Sequence, residues 1–287
     1  MNIKQLYEAV TAKIIAEMEA GAVLWLCPWK KTSVARFPQN AITKRRYQGI
    51  NVPLLWFEAE EKGYSDHLWL TYQQAQAQGG QVRKGEKGTP VVFAKPLQVK
   101  DKETEEDRTV RMLRVFWVFN VAQMEGLTLL TAHKEPLPEH ERNANAEAFL
   151  KATGADIRHG GDRAYYNLVL DHIQLPELSS FVGPDQYYST AFHEAGHYTG
   201  HRTRLNRFSL LLPDTQEYAF EELVAELTSA YLCAHFEMKA ELRHAGYLSH
   251  YLKKLKDDST AFFKAAAAAQ RAADFLLAFS ETREEAA

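Results

Sequence analysis

The sequence predicts an α+β protein of two domains, on three observations. The chain of 287 residues is long enough for two domains of ordinary size, and 46% of it is hydrophobic, which suffices for a core of helices and a sheet. Helical patterns alternate with short runs rich in β-branched and aromatic residues. The periodic spacing of hydrophobic residues is lost at 121–138. We therefore place the first domain at 1–130, a linker at 131–138 and the second domain at 139–287.

Helix and strand patterns alternate along the first domain. The segment 1–21 interleaves glutamates with apolar residues, which is typical of an amphipathic helix and not of a signal peptide. Thr71 is the expected N-cap of a helix that a glycine ends. The remaining elements are helices at 52–63 and 71–79 and strands at 65–70, 89–97 and 110–120, in a small antiparallel sheet. A charged hairpin tip is expected at 101–107.

The second domain is predicted to be mostly helical. Its helices are expected at 139–153, 185–200, 217–232, 247–256 and 261–279. Short strands are predicted at 156–158 and 164–170 around a Gly-Gly turn, followed by a loop at 171–184. The run 164–169 is the candidate edge for pairing with an extended substrate, with an ordinary interior strand as the alternative.

Composition and motifs exclude several classes of protein. No run of 18 or more apolar residues is present, so no membrane span is expected. No glycine-rich phosphate-binding pattern is present, so nucleotide-driven chemistry is not indicated. Cys27 and Cys233 are far apart in sequence and establish no disulfide, which fits a reducing cytoplasm.

Charge is unevenly distributed along the chain. Residues 1–130 carry 18 Lys and Arg against 14 Asp and Glu, whereas the rest carries 16 against 23, within a net charge of −3. In residues 28–52, cations and aromatic residues are interleaved without an acid, a pattern that predicts single-stranded nucleic-acid binding by phosphate contacts and base stacking. With the cations of the turn at 81–88, the predicted contacts are Trp29, Lys30, Lys31, Arg36, Lys44, Arg45, Arg46, Tyr47, Arg83, Lys84 and Lys87. The alternative is that Trp25, Trp29 and Tyr47 belong to the core beside a solvated basic loop.

The strongest chemical signal is an H-E-x-x-H motif formed by His193, Glu194 and His197. Side chains four residues apart lie on one face of a helix, so both imidazoles can bind the same metal ion. Glu194 is then placed to deprotonate a water molecule beside that ion. The motif therefore predicts a catalytic metal site.

Two further residues define the predicted helix at 185–200. Asp185 follows a proline and is the expected N-cap. Gly196 is a poor helix former, at a cost of about 1 kcal/mol relative to alanine. The close approach of another backbone near the metal would explain the glycine.

A third ligand is expected on the helix at 217–232, because a catalytic zinc site has three protein ligands and leaves the fourth position to water. Glu222 and Glu226 are four residues apart and share one face. This arrangement resembles the E-x-x-x-D helix of the gluzincin metallopeptidases. The resemblance implies that Glu222 binds the metal and that Glu226 orients a ligand histidine. Glu221 is the competing ligand if the helix phase differs by one residue, and a solvated acidic face is the other alternative.

The predicted chemistry also requires a hydrogen-bond donor to an oxyanion opposite the metal. His244 and Tyr247 lie in the sequence where such a transition-state donor could be supplied. His201 is a further polar candidate, expected just beyond the end of the H-E-x-x-H helix.

Several motifs occur in a fixed order along the chain. They are Pro28-Trp29, the P-x-N…Y-x-G-x-N run at 38–51, and the segments 69–75, 82–88, 119–123, 193–197, 221–230 and 256–277. Together they resemble the ArdC-type antirestriction proteins, which are also similar to the N-terminal region of plasmid TraC primases. The resemblance covers nearly the whole chain.

The resemblance implies a bacterial plasmid or mobile-element protein that protects incoming DNA from host restriction. It implies an N-terminal α+β domain that binds single-stranded DNA and a C-terminal zincin-like metallopeptidase domain similar to SprT-like proteases. The implied metal ligands are His193, His197 and Glu222, with Glu194 catalytic. Zn²⁺ is the expected cofactor and another divalent ion such as Mn²⁺ the alternative. The expected partners are single-stranded DNA and a protein substrate, which the expected mechanism places on that DNA.

Two other functions remain open on the sequence. In the first, DNA binding alone shields the strand and the metal is structural. The intact glutamate of the H-E-x-x-H motif speaks against it, since a structural site needs no base. In the second, the protein is a regulatory metallopeptidase that makes no contact with DNA.

Overall fold

The chain divides into two compact units in the computed structural model, which describes residues 2–19, 36–100, 107–127, 138–208, 215–238 and 248–284. The first unit comprises residues 1–13 and 38–131, and the second unit comprises 14–37 and 132–287. The division at 131 lies beside the predicted boundary. Residues 14–19 and 36–37, which the prediction assigns to the first domain, group with the second unit.

The helices of the N-terminal half begin and end close to the predicted residues. They are α1 (Ile3–Glu19), which contributes its first part to the first unit, α2 (Asn51–Lys62) and α3 (Tyr72–Ala77). Gly63 ends α2 in the left-handed region, with φ of 68°. Thr71 caps α3 as predicted: its hydroxyl accepts from the Gln74 N–H while the Gln74 side chain accepts from the Thr71 N–H, which forms a capping box.

A mixed sheet is the centre of the first unit. Its strands and those of a small second sheet are β1 (Gln39–Asn40), β2 (Leu68–Leu70), β3 (Gln81–Val82), β4 (Thr89–Lys100), β5 (Asp107–Asn120) and β6 (Met124–Glu125). The order is β1-β2-β5-β4, with β3 paired to β6. The predicted sheet is antiparallel, but β1 and β2 run parallel. The strand β6 lies in the segment where the sequence loses periodicity, and the hairpin tip at 101–106 lies outside the described residues.

The helix α2 is held on the sheet by apolar packing and by one polar side chain. Leu55 of α2 packs with Trp69 and Val118 in a buried cluster. The buried Asn51 side chain accepts from the N–H of Val92 at 2.7 Å and donates to its carbonyl at 2.8 Å. Because β4 is an edge strand of this sheet, Asn51 pairs backbone groups that no neighbouring strand pairs.

The second unit contains helices and a three-stranded sheet. Its described elements are α4 (Glu139–Ala152), β7 (Asp156–His159), β8 (Tyr165–Asn167), β9 (His172–Leu175), a 3₁₀ turn (Leu178–Ser180), α5 (Pro184–Thr199), α6 (Gln216–His235), α7 (Leu248–Asp257) and α8 (Ala261–Glu284). The sheet order is β7-β9-β8. The central strand β9 lies in the predicted loop 171–184, so that prediction is wrong here. Its four residues, His-Ile-Gln-Leu, are too few for a periodic signal.

The helix α6 packs against both α5 and α8. Small side chains permit this packing on the α8 side, where Ala265, Ala266 and Ala269 are all buried. The predicted alanine-rich helix therefore has a packing role in addition to its high helix propensity. None of the helices in the described segments is long and apolar enough to cross a membrane.

Candidate metal centre

The helix α5 starts one residue earlier than predicted and carries the two histidines. Gly183 is its N-cap and Pro184 its first residue, so the predicted N-cap, Asp185, lies inside the first turn. Proline suits the first position because it lacks the N–H that has no helical acceptor there. The helix then places His193 and His197 one turn apart on one face.

Three potential ligand atoms converge between α5 and α6. Nε2 of His193 lies 3.1 Å from Nε2 of His197. The two oxygens of Glu222 lie 3.4 Å from these nitrogens, one on each. Ligand atoms around a tetrahedral ion with bonds of about 2.0–2.1 Å are about 3.3 Å apart, so the three side chains fit a metal ion of this size.

The other ring nitrogen of each histidine faces a second carboxylate. Nδ1 of His193 lies 3.7 Å from Glu226, and Nδ1 of His197 lies 3.5 Å from Glu221. A carboxylate in this position accepts the Nδ1–H and leaves Nε2 for the metal. Glu226 thus lies on the side of His193 that was expected for it, and its role in orienting the histidine stays a prediction. Glu221, which the sequence left open as the alternative metal ligand, faces Nδ1 of His197 instead.

Arg207 holds Glu221 in place. Its guanidinium makes a two-pronged contact with the Glu221 carboxylate, at 3.0 Å from Nε and 2.7 Å from Nη2. It also donates to the Gly196 carbonyl at 2.8 Å and to the Thr199 hydroxyl at 2.7 Å. The arginine thereby links the end of α5 to the start of α6. No sequence motif marked it.

Carboxylates control the protonation of both histidines. Burial acts to lower the pKa of His193, but Glu226 and Glu222 outweigh it and raise the pKa well above the ordinary value. Burial is likewise outweighed at His197, where Glu222 and Glu221 raise the pKa to about 9. Burial would raise the pKa of Glu222, yet the two histidines hold it far below its usual range. The cluster therefore attracts cations, and a metal ion would replace protons.

Gly196 lies where α5 and α6 approach closely, as the sequence predicts. A Cβ on Gly196 would lie 3.1 Å from Cα of Ala225 and 3.3 Å from Cβ of Thr228. Both of these residues belong to α6, the helix that carries Glu222. The glycine thus permits the helix separation that brings the three ligand atoms together.

A cavity of about 210 Å³ opens onto the three ligand atoms. The carboxylate of Glu194 lines it, and Glu194 is only 3% exposed. Within the described segments Glu194 has no hydrogen-bond or ion-pair partner, so its carboxyl group is available to a molecule bound in the cavity. Three tyrosines complete the wall, namely Tyr165, Tyr166 and Tyr218.

The strand β8 forms an edge of the three-stranded sheet beside this cavity. The predicted strand is shorter than expected, because Tyr165–Asn167 forms the edge strand and 168–170 forms a turn, and its pairing with a substrate stays a prediction. Tyr166 is fixed there, because its hydroxyl donates to Asp171 at 2.6 Å and accepts from Arg204 at 3.0 Å. Burial and the Asp171 carboxylate raise the pKa of Tyr166. Its hydroxyl thus remains protonated at neutral pH.

In the first unit, aromatic and basic side chains share one face of the β4–β5 hairpin. Phe93 and Phe116 pack edge to face, with ring centroids 5.7 Å apart, and are 45% and 40% exposed. Arg114 lies directly opposite Phe93 in the pairing register. A cavity of about 780 Å³ next to this face is lined by Phe93, Arg45 and Arg46. We refer to Phe93, Phe116, Arg114, Arg45 and Arg46 as the hairpin surface.

Known proteins share both units of the chain. A zincin-like metallopeptidase family model matches residues 144–268, and a model of the N-terminal domain of the anti-restriction factor ArdC matches residues 4–119. The metal-free crystal structure of the antirestriction protein ArdC from plasmid R388 is 42% identical, with a TM-score of 0.83, over 96% of this chain and 98% of that chain. The chain belongs to the ArdC antirestriction family. The Mn(II)-bound structure of the R388 protein gives a TM-score of 0.79 at 41% identity, over 96% of this chain and 97% of that one.

Other relatives of this ArdC-family chain extend across its whole length. Protein y4eC of Sinorhizobium fredii is 40% identical over an alignment of 281 positions that covers 94% of this chain and 91% of y4eC. The DNA primase TraC of Escherichia coli is 40% identical over an alignment of 299 positions, gaps included, that covers 97% of this chain. The match spans only 20% of that primase. The similarity to primases predicted from the sequence is therefore confirmed and limited to one region of them.

The predicted DNA contacts are distributed over several places. Trp29, Lys30 and Lys31 lie outside the described residues, and Arg36 groups with the second unit. Lys44, Arg45, Arg46, Arg83, Lys84 and Lys87 are exposed in the first unit. Arg83 pairs with Glu86 at 2.8 Å.

Tyr47 lies in the hydrophobic core, which was the alternative to its predicted contact with DNA. It is 6% exposed and packs with Leu55 and Trp69, and burial raises its pKa to about 12. Its ring is covered by the core, which does not suit the stacking role predicted for it. The exposed rings of Phe93 and Phe116 were not marked by the sequence, because their strands show strong apolar content on both faces.

The predicted transition-state donors His244 and Tyr247 lie outside the described residues. His201 follows the end of α5, as predicted, and contacts Thr203 at 2.8 Å. The tyrosines of the cavity wall were missed. Only Tyr218 carries a sequence signal, since it lies four residues before Glu222 and on the same helix face.

Proposed function

We propose that this member of the ArdC family is a divalent-metal-dependent peptidase that acts beside single-stranded DNA and protects incoming plasmid DNA from restriction. The observation that carries the proposal is the convergence of His193, His197 and Glu222 in a cavity that also holds the Glu194 carboxylate. A site that only stabilised the fold would have no use for a buried carboxylate without a partner.

His193, His197 and Glu222 would hold the metal ion through two imidazole nitrogens and one carboxylate. This donor set suits Zn²⁺, and carboxylate donors also suit Mn²⁺. The R388 relative has an Mn(II)-bound structure, which supports a divalent ion without selecting zinc. When bound, such an ion acts as a Lewis acid that polarises a carbonyl group and makes water more acidic.

The side chains of the cavity supply the proton transfers. Glu194 takes a proton from the attacking water and returns it to the leaving amine of the peptide. Tyr218 lines the cavity and offers its hydroxyl as a donor to the oxyanion of the tetrahedral intermediate, whereas the hydroxyl of Tyr166 already donates to Asp171. Glu226 and Glu221 keep the two histidines in the tautomer that presents Nε2.

A polypeptide is the substrate class that the surroundings favour. Since β8 is an edge strand among the described residues, its outer backbone groups can pair with an extended peptide chain. Leu168 lines the cavity, and the adjoining Val169 and Leu170 are 91% and 63% exposed. Exposed apolar side chains of this kind mark protein contact sites.

The hairpin surface is our proposed contact with single-stranded DNA. Exposed rings such as Phe93 and Phe116 stack on bases, whereas Arg45, Arg46 and Arg114 can follow the phosphates. The match to the N-terminal domain of ArdC supports this assignment, as does the similarity to primases. DNA held there would raise the local concentration of DNA-bound protein substrates.

Glu194→Gln tests the peptidase. We expect the variant to keep its metal and to lose cleavage, seen as the disappearance of new N termini from a mixture of DNA-binding host proteins analysed by mass spectrometry. Glu177→Gln, an exposed change in the same unit, is the matched control. If Glu194→Gln still cleaved every substrate of the parent, the peptidase proposal would be wrong. If it also still protected DNA in a conjugative-transfer assay, DNA binding alone would account for protection.

Arg45→Gln combined with Arg46→Gln tests the DNA contact. Loss of two phosphate contacts should weaken binding of a fluorescent single-stranded oligonucleotide and reduce the slope of log K against log salt by about 1.4. Lys62→Gln, which removes an exposed cation outside the hairpin surface, should change neither. Unaltered affinity and slope in the double variant would favour a peptidase that does not contact DNA through this surface.

A further inference from the structure

A second cavity of the second unit shares Glu221 with the metal centre. It has a volume of about 440 Å³ and lies among α6, α7 and α8. Four of its lining side chains are cations, namely Arg207, Lys254, Lys264 and Arg271. The established family membership and the metal centre assign no role to this cluster of charge.

Helix periodicity explains how α8 contributes to the cavity. Ala261, Lys264, Ala268 and Arg271 are spaced by three and four residues, so they share one face of the helix. The two alanines leave space at the helix surface, and the long cationic side chains border that space. The arrangement is one that can admit a ligand between the cations.

Two of the four cations already have partners. Arg207 is bonded to Glu221, and Lys264 donates to Asp258 at 2.8 Å. Arg207 nevertheless has five N–H donors, of which the structure uses four. One N–H of its Nη1 is left for a ligand.

The other two cations have no partner within the described segments. Neither Lys254 nor Arg271 takes part in a salt bridge or a side-chain hydrogen bond there. The remaining carboxylate of the wall is Glu217. Lys254, Arg271 and Glu217 together carry a net charge of +1, because the other charged side chains of the wall are paired with one another. Two cations from different helices that face one cavity favour an anion between them.

We propose that this cavity binds a phosphate ester of about nucleotide size. Arg271 can bind a phosphate through two parallel N–H donors, and Lys254 can add a point charge. Phe220, half-buried in the same wall, offers an aromatic surface to the rest of the ligand. The volume lies in the range of pockets for small organic ligands, which is about 300–1,000 Å³. The ligand is either a free nucleotide or the phosphorylated end of a DNA strand.

Calorimetric titration of the full-length protein with deoxyadenosine monophosphate tests the proposal. We expect saturable binding that inorganic phosphate displaces. Arg271→Gln and Lys254→Gln should each weaken it about tenfold or more, because a hydrogen bond to a charged phosphate contributes that much. Glu217→Gln should tighten it, since the change removes the carboxylate that repels the ligand. Lys253→Gln, an exposed change on α7 outside the cavity, is the matched control.

Two oligonucleotides of one sequence, with and without a 5′-phosphate, separate the two ligand sources. A strand end predicts tighter binding of the phosphorylated oligonucleotide and loss of that difference in Arg271→Gln. A free nucleotide predicts that neither oligonucleotide competes with the monophosphate. Metal content should equal that of the parent in each variant, because neither cation contacts the metal-ligand residues. Monophosphate binding that is absent, or equally tight in Arg271→Gln and Lys254→Gln, would overturn the proposal.

Discussion

Replacing Gly196 by alanine should damage the metal centre more than the stability of the fold. Alanine would stabilise the helix by about 1 kcal/mol through its higher propensity. Its Cβ would lie 3.1 Å from Cα of Ala225, however, a backbone atom that cannot rotate away. Overpacking of this kind costs about 1–3 kcal/mol, so the net loss of unfolding free energy should be at most about 2 kcal/mol.

The effect on the metal follows from the direction of the clash. Ordinary contacts begin at 3.4 Å, so α5 and α6 must move apart by a few tenths of an ångström. That movement separates His193 and His197 on α5 from Glu222 on α6. Metal–ligand distances tolerate only about 0.2 Å of change. We therefore expect the affinity for Zn²⁺ to fall by about 10–100-fold, which is the range for displaced supporting groups.

Competition with a chromophoric chelator measures the affinity, and thermal unfolding in excess chelator measures the stability of the metal-free fold. Gly183→Ala is the matched control, because its Cβ meets nothing within 4 Å and its backbone is extended. That variant can lose some stability at the N-cap but should bind metal like the parent. A Gly196→Ala protein that binds metal as tightly as the parent, and is more stable by about 1 kcal/mol, would refute the close-approach argument.

Three further predictions concern the supporting groups. Glu226→Gln should weaken metal binding by about 10–100-fold in the same chelator assay, with Glu177→Gln as the control. The apparent metal affinity should fall as pH decreases below about 9, because only the neutral imidazoles bind metal. The fall should reach up to about tenfold per pH unit for each proton that the metal displaces from His193 and His197. Equal affinities in titrations at pH 6, 7 and 8 would contradict this prediction. Asn51→Ala should lower the free energy of unfolding of the first unit by about 2–4 kcal/mol in urea, since it leaves both backbone groups of Val92 unpaired.

Helix periodicity made the centre of the metal site predictable from the sequence. The spacing of His193 and His197 fixes their common face, and the spacing of Glu222 and Glu226 does the same on the next helix. The choice between Glu222 and Glu221 was not predictable by spacing alone. It depends on how α5 and α6 are rotated where they cross, which is a property of their packing.

Contacts made by irregular segments could not be predicted from the sequence. Arg207 lies in the loop after α5 and belongs to no motif, so only the fold shows that it holds Glu221. Tyr165 and Tyr166 reach the cavity because β8 is an edge strand, and that requires the position of β9 in the sheet. The strand β9 itself was too short to detect.

Aromatic residues of the first unit were the least predictable from the sequence. Tyr47 lies in a basic stretch typical of nucleic-acid contacts, yet its ring fills the core. Phe93 and Phe116 lie in strands that read as apolar, yet the hairpin face carrying their rings is exposed. Composition indicates that aromatic and basic residues are present together, but only the sheet pairing decides which rings are covered.

The charges around the metal centre connect the predictions for Gly196, for Glu226 and for the pH dependence of metal binding. Glu194, Glu221, Glu222 and Glu226 place four carboxylates around two imidazoles, and Arg207 is the cation that the structure sets against them. With neutral histidines the cluster has a net charge of −3, which is unfavourable in a buried site. Protons on the histidines or a divalent ion between them both reduce it. The two compete for the same nitrogens, and they need the same close packing of α5 on α6. A change that separates the helices should therefore weaken metal binding and reduce the number of protons released when metal binds.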